Sequence, residues 1–381
     1  MGVRVAIQPA VLAWAIDRSR VPRNGLEKRF PKIGDWERGA SSPTLRQAED
    51  FASATHTPIG MLLLPEPPVE TIPLPDFRTI RDTPLGRPSA DLLDMIYMCE
   101  QRQEWYRDHV RFDGGEPVVF VGSARLSDDP AVVGAGMREL LGFGVTERGA
   151  NWSEALRLLV EAAERAGVLM MVSGVVGSNS HRVLDPKEFR GFALADSLAP
   201  VIFVNGADTK AAQIFTIAHE LAHLWIGASG VSDADLAIEM NDGTEKWCNR
   251  AAAEFLVPSD TLLSEYKPGR PLTEELQRLA RQFKVSTLVV LRRLKDVGLL
   301  SAAAFRTEYR AELARVLASL EGRSSGGNFY NTQPVRVSKR FAKAVVASTL
   351  EGQTLYRDAF RMLGFKSQNA FDELSHRLGV A

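Results

Sequence analysis

His219, Glu220 and His223 spell H-E-x-x-H, a spacing that suits a metal-dependent hydrolase. Residues four positions apart share one face of an α-helix, so both imidazoles can bind the same metal ion. Glu220 leans toward the same cleft, where it can accept a proton from a metal-bound water. The surrounding apolar residues are spaced as a helix stripe that ends at Gly227, a position typical of a C-terminal cap. A helix whose histidines merely pack is the alternative, although burying unpartnered imidazoles is costly.

A second helix, predicted to end at Pro258, carries the candidates for a third metal ligand. Catalytic zinc takes three protein ligands and keeps one position open for water. Glu245 is favoured as the third ligand, and Cys248 is a softer alternative. Glu254 is the least favoured, because it lies nine residues beyond Glu245 on the helix, so that the two carboxylates cannot easily bind one ion. Asn249 lies one helical turn beyond Glu245, where it can hydrogen-bond a ligand and fix its orientation.

Short apolar segments upstream of the motif predict a small β-sheet. Strands are expected at three segments, 168–172, 190–194 and 200–205, and the segment 118–121 is a further candidate strand. Helices, then a small sheet, then the metal-binding helix give an α+β fold with the layout of a zincin-like metallopeptidase core. An extended peptide can add along the edge of such a sheet through main-chain hydrogen bonds.

Three segments resemble the ImmA/IrrE family of bacterial zinc metallopeptidases, namely Phe215–His223, Val201–Asn205 and Glu245–Pro258. The resemblance implies a cytoplasmic endopeptidase in which His219, His223 and Glu245 bind Zn²⁺ and Glu220 is the general base. It also implies a protein substrate, a transcriptional repressor or a toxin–antitoxin partner, because relatives act in stress responses and mobile-element induction. This chain has Cys248 where many relatives carry alanine, so the choice between Glu245 and Cys248 stays open.

The first 66 residues resemble the helix-turn-helix module of Xre-type regulators, through Trp36-Glu-Arg-Gly39 and the Pro43-Thr44 pair. Residues 1–40 hold eight Lys/Arg and four Asp/Glu, which favours contact with DNA phosphates, with Lys32 and Arg38 as candidates. Pro31 interrupts the segment where a recognition helix is expected. A helical module that docks on protein is therefore the alternative.

The remaining chain divides by composition into four regions. These are a proline-rich linker at 67–89, a helical region at 90–165, the metallopeptidase domain with a trailing helix-turn-helix at 166–300, and a helical C-terminal region at 301–381. Residues 323–366 hold eight Lys/Arg and two Asp/Glu. Five residues there are candidates for contact with phosphates or an acidic partner, against the alternative of a solvated helix face: Tyr330, Arg336, Lys339, Arg340 and Lys343.

Composition limits the class of protein. The 381 residues carry a net charge of −1, which gives no general attraction to nucleic acid or membranes. Two distant cysteines fit a reducing cytoplasm rather than a disulfide scaffold, and no apolar run reaches membrane-spanning length. The sequence thus predicts a zinc endopeptidase, and the alternative is a DNA-binding regulator or antitoxin with a structural zinc. Four residues are candidates for stabilising the oxyanion: His181, Arg182, Arg190 and Tyr266.

Overall fold

The computed structural model describes residues 3–70, 88–232, 243–320 and 336–380. They form two compact units, 1–98 and 99–381, each described here by itself. Most of the predicted linker and the candidate Tyr330 lie outside the described residues. None of the helices in the described ranges is both long enough and apolar enough to cross a membrane.

The first unit is a cluster of short helices around an aromatic core. Its helices are α1 (Pro9–Ser19), α2 (Arg23–Arg29), α3 (Ile33–Glu37), α4 (Leu45–Ala54), α5 (Ile59–Leu62) and the start of α6 (Ala90–Phe112). Phe30, Trp36 and Phe51 are buried, with ring centroids 5.6–6.3 Å apart. Thr44 begins α4 with a reciprocal capping box to Gln47. Pro31 lies between α2 and α3, so both helices are short.

The second unit contains a four-stranded sheet in the order β1-β3-β2-β4. Its strands are β1 (Leu169–Ser173), β2 (Gly191–Leu194), β3 (Val201–Asn205) and β4 (Gly230–Ser232). β1 pairs with β3 in parallel, whereas β2 is antiparallel to both β3 and β4. The first three strands match the predicted segments to within one residue, and the mixed sheet among many helices agrees with the α+β prediction.

Helices surround this sheet. They are α7 (Pro130–Leu141), α8 (Trp152–Arg165), α9 (Lys210–Trp225), α10 (Gly243–Leu256), α11 (Ser259–Glu265), α12 (Leu272–Phe283), α13 (Thr287–Asp296), α14 (Ala302–Leu320), α15 (Lys339–Leu350), α16 (Tyr356–Leu363) and α17 (Gln368–Leu378). One sheet face joins the core with α9, through residues such as Ala193, Ile202 and Val204. Side chains alternate along a strand, so neighbours such as Phe192 point to the other face.

The candidate strand at 118–121 was wrong, because this segment forms turns over the end of α9. The amides of Gly122 and Ala124 donate to the carbonyls of Leu224 and Trp225, at 3.0 and 2.9 Å. The last carbonyls of a helix have no intrahelical partner, and these bonds satisfy two of them. The segment is apolar because it packs on α9: the rings of Phe120 and Trp225 are stacked, with their centroids 4.0 Å apart.

The trailing helix-turn-helix, α12 and α13, packs into the main core of the second unit. Ser286 begins α13 as predicted, its hydroxyl accepting from the amide of Val289 at 3.2 Å. Val290, Leu291 and Leu294 of α13 are fully buried in the main core. The apolar side of α13 is therefore held in the main core.

α7 and α10 approach closely at Gly134, where a Cβ would lie 2.4 Å from the Ala251 carbonyl oxygen. We expect Gly134→Ala to lower the free energy of unfolding by about 1–3 kcal/mol, because an overpacked interface must shift. Gly136 on the same helix has no atom within 4 Å of its added Cβ. Gly136→Ala should therefore stabilise, by about 0.5–1 kcal/mol. Denaturant unfolding measures both, and equal effects would contradict the close approach.

Candidate metal centre

Helix α9 presents the H-E-x-x-H residues from the interior of the second unit. Thr209 caps its start, accepting from the amide of Ala212 at 3.3 Å. Gly227 follows its end with a φ of +69°, a left-handed conformation that favours glycine. From residue 213 to 225 every side chain of α9 is buried, including His219 and His223. The helix is therefore a core element, and the two imidazoles are held by packing rather than exposed to solvent.

Helix α10 brings Glu245 to the two histidines. The Trp247 indole donates to the Asp128 carbonyl at 2.8 Å, which ties the start of α10 to the loop before α7. Further along, the contact at Gly134 sets the spacing of α10 from α7. Glu245 is consequently buried, with its carboxylate directed at the imidazoles of α9.

The three side chains meet in a triangle, in which the two Nε2 atoms form two corners and the Glu245 carboxylate forms the third through both of its oxygens. Nε2 of His219 lies 3.1 Å from Oε2 of Glu245, and Nε2 of His223 lies 3.0 Å from Oε1. The two Nε2 atoms are themselves 3.0 Å apart. Among the described residues these three form the only such group of His, Cys, Asp and Glu.

Asn249 contacts the centre from one turn further along α10. Its Oδ1 lies 3.0 Å from Nδ1 of His219. An amide oxygen can only accept, so this contact assigns the proton to Nδ1 and leaves the lone pair of Nε2 facing the other ligands. Nδ1 of His223 is buried, and no partner for it is present in the part of the chain that the structure describes.

The charges of the triangle stabilise one another. Burial by itself would lower the pKa of His219, but the adjacent Glu245 carboxylate raises it above its ordinary value. Burial would likewise raise the pKa of Glu245, yet the two imidazoles hold it well below its usual range. A buried carboxylate that stays ionised makes this position favourable for positive charge.

The donor set fits a zinc ion. Two neutral imidazole nitrogens and one carboxylate are ligands that zinc takes in catalytic sites, at about 2.0–2.2 Å. Tetrahedral ligands at that distance lie roughly 3.3 Å from one another, close to the separations of 3.0–3.1 Å found here. Two Nε2 lone pairs that face each other repel unless a proton or a cation lies between them. The site therefore has both the atoms and the electrostatics that a divalent ion needs.

The structure separates the rival ligands from the triangle. Cys248 is fully buried in the main hydrophobic core and is not part of the His–His–Glu group. Glu254 is bonded to Ser259 and Arg293 instead, in a buried cluster at the far end of α10. Among the oxyanion candidates, Arg190 lies 3.6 Å from Asp208, His181 is exposed, and Tyr266 packs against the core.

Sequence reasoning missed Gly191, which lies against Glu220. A Cβ built on it would be 3.3 Å from Oε1 of Glu220. The available signal was a glycine at the start of an apolar strand, which often marks a close approach of another group to the backbone.

We expect Asn249→Ala to weaken zinc binding by about 10–100-fold, the usual effect of removing a hydrogen bond to a metal-binding histidine. Competition with a chromophoric chelator measures the affinity. Arg250→Ala, on the exposed side of the same helix, is the matched control and should leave it unchanged. Equal affinities for the two variants would show that the contact with His219 does not support the ligand.

Comparison with known families agrees with this site. Residues 163–295 match the model of a family described as the IrrE N-terminal-like domain, Peptidase_M78, whose peptidases are zinc-dependent. Residues 337–377, which include most of α15 to α17, match a family described as a domain of unknown function, DUF8813. No curated protein matches the chain. Both histidines, Glu220 and Glu245 fall inside the first match, so the part of the chain that carries the site is similar to this peptidase family.

Proposed function

We propose that the protein is a zinc-dependent endopeptidase that cleaves a regulatory protein. The observation that carries this proposal is the buried triangle of His219, His223 and Glu245, with Glu220 on the same helix as both histidines. The match of residues 163–295 to a peptidase family supports it independently. A purely structural zinc usually has four protein ligands, whereas three favour a site that keeps a position for water.

Each residue of the site has a separate task in this proposal. A bound zinc ion supplies a water of lowered pKa and polarises the scissile carbonyl. His219, His223 and Glu245 hold the ion, and Asn249 keeps the His219 ring in the required tautomer. Glu220 takes the proton from the water and then gives it to the leaving amine. Burial of these groups strengthens their electrostatic interactions.

The substrate that we propose is an extended segment of a transcriptional repressor or of a toxin–antitoxin partner. Within the described ranges β4 pairs only with β2, which makes it an edge strand of the sheet there. An edge strand offers free main-chain donors and acceptors to an extended peptide. The class of substrate rests on the resemblance to ImmA/IrrE peptidases, whose relatives act on or with such regulators.

Substrate trapping tests the proposal. The zinc-loaded Glu220→Gln variant, expressed in the native host, should retain proteins that the wild-type chain cleaves. Wild-type protein added to the captured material should then create new N-termini, which amine labelling and mass spectrometry identify. A chelator-treated sample is the control. If no new terminus depends on both zinc and Glu220, the peptidase assignment is wrong.

We also propose that the first unit contacts DNA. Lys32 and Arg38 lie at the two ends of α3, and both are exposed, although Arg38 is paired with Asp35 at 2.7 Å. Another basic residue, Arg23, is already bridged to Glu37 and Glu27. The free positive charge of the unit is therefore smaller than its composition suggests, so we expect weak binding.

Neutralising both candidate cations should weaken DNA binding by the full chain. Each phosphate contact contributes about 0.9 to the slope of log affinity against log salt, so Lys32→Ala/Arg38→Ala should reduce that slope by up to about 2. Fluorescence anisotropy with duplex DNA at several salt concentrations measures it. Arg125→Ala/Arg250→Ala removes two exposed charges from the second unit and is the matched control. Absence of binding even at low salt would leave the first unit as a protein-docking module.

A further inference from the structure

Gly191, the first residue of β2, faces α9 at the level of the proposed general base. A Cβ at this position would meet Cγ2 of Thr216 at 2.6 Å and Oε1 of Glu220 at 3.3 Å. Thr216 and Glu220 are four residues apart and therefore share one face of α9. The backbone of β2 thus lies directly against the side chains of two successive helical turns, with no room for a methyl group between them.

The close packing of β2 on α9 places the Glu220 carboxylate directly against the main chain of Gly191. Glu220 is fully buried, and Gly191 is paired with Val204 of β3 and with Ser232 of β4. A residue flanked by paired strands on both sides has little freedom to move. The position that the carboxylate can occupy is accordingly limited on one side by a rigid element. A general base must lie within hydrogen-bond reach of its proton, so such a limit bears on rate.

We infer that Gly191 is a positioning residue for Glu220, and this inference rests on the proposed function. The bare backbone at position 191 allows the carboxylate to lie where it can exchange a proton with the water and the leaving amine. A methyl group there would displace Oε1 by a few tenths of an ångström. Since misplacement of a reacting group by 1 Å can reduce a rate about 100-fold, we expect the smaller shift to reduce it about tenfold.

A purely structural role is the alternative. The same Cβ would also meet the Phe203 carbonyl oxygen at 2.7 Å, so the sheet itself favours glycine at this position. The two roles predict different results when the base is absent. If Gly191 acts through Glu220, its replacement should have no effect on the residual activity of a Glu220→Gln protein. A general disturbance of the sheet should reduce both activities by the same factor.

The test is a double-mutant cycle with Gly191→Ala and Glu220→Gln in the zinc-loaded full chain, with fluorescein-labelled casein as the probe. We expect about a tenfold loss of cleavage in the wild-type background and none in the Glu220→Gln background. Gly206→Ala is the matched control, because the three atoms nearest to its Cβ would be backbone atoms of Gly174 and Ser173, at 2.9–3.5 Å. The same factor in both backgrounds would overturn the inference.

A crystal structure of the zinc-loaded Gly191→Ala variant tests the positioning role without an activity measurement. If the wild-type chain does not cleave casein, this structure is the test that decides the inference. Glu220 should be displaced while His219, His223 and Glu245 stay in place, and an unmoved carboxylate would refute the positioning role. If Gly191→Ala does not fold, Thr216→Ser added to it removes the methyl group at 2.6 Å. Failure of that variant as well would show that glycine is required by the sheet rather than by the base. Full activity of Glu220→Gln itself would instead refute the proposed function.

Discussion

Replacing His219 and His223 together with alanine should remove stoichiometric zinc from the purified protein. Each imidazole forms one corner of the triangle with Glu245, and a single carboxylate does not hold zinc tightly. Metal analysis of the wild-type chain should show about one zinc per chain, and of the double variant almost none. The variant should also unfold at lower temperature, because a metal that binds only the folded state stabilises it. Stoichiometric zinc in the double variant would place the metal elsewhere.

The third ligand is decided by a matched pair. Glu245→Ala should weaken zinc binding far more than Cys248→Ala, because the Glu245 carboxylate contacts both imidazoles whereas Cys248 lies in the hydrophobic core. Cys248→Ala should instead cost some stability, as expected when a buried side chain is shortened. Chelator competition and thermal unfolding separate the two effects. The reverse ranking of zinc affinities would make Cys248 the ligand.

Glu220→Gln should reduce cleavage by something like 10²–10⁴-fold, the usual contribution of a general base. The amide keeps the shape of the side chain but cannot take a proton from water. Zinc content and thermal stability should stay near those of the wild-type chain, because Glu220 is not part of the ligand triangle. Initial rates on a trapped substrate, normalised to zinc content, measure the loss.

The Glu220→Gln variant also distinguishes the two proposed functions, a zinc peptidase and a regulator whose zinc is structural. A regulator hydrolyses nothing, so Glu220→Gln should leave its output in the cell intact. A peptidase should lose that output, for example the relief of a repressed promoter, together with its cleavage rate. Full activity of the Glu220→Gln variant in the cell would support the regulator and contradict our proposal.

Much of the site is predictable because it depends on short-range periodicity. The spacing of His219 and His223 determines that both lie on one helical face, whatever the rest of the fold. The strands can be predicted in the same way, since the continuous apolar run 201–204 is typical of a strand buried on both faces. Glu245 is harder to predict as a ligand, because its contact with the histidines depends on how α10 packs on α7. The spacing of residues along the chain does not determine that packing.

The failures have a common physical origin in long-range contacts. The apolar segment 118–121 was predicted as a strand, but its partners are the last carbonyls of α9, about a hundred residues later. Gly191 is conspicuous only once β2 and α9 are seen against each other.

The division of the three ligands between α9 and α10 has a consequence for the timing of synthesis. The ribosome makes the histidine pair and Glu220 first, then β4, and Glu245 only 22 residues after His223. A nascent chain that ends before Glu245 has two of the three ligands, too few for a catalytic zinc site. Nor can α10 settle on α7 until its residues around Ala251 have left the exit tunnel. If the chain is a peptidase, this order of synthesis keeps it inactive until most of its core is made, so a truncated product would not cleave its neighbours.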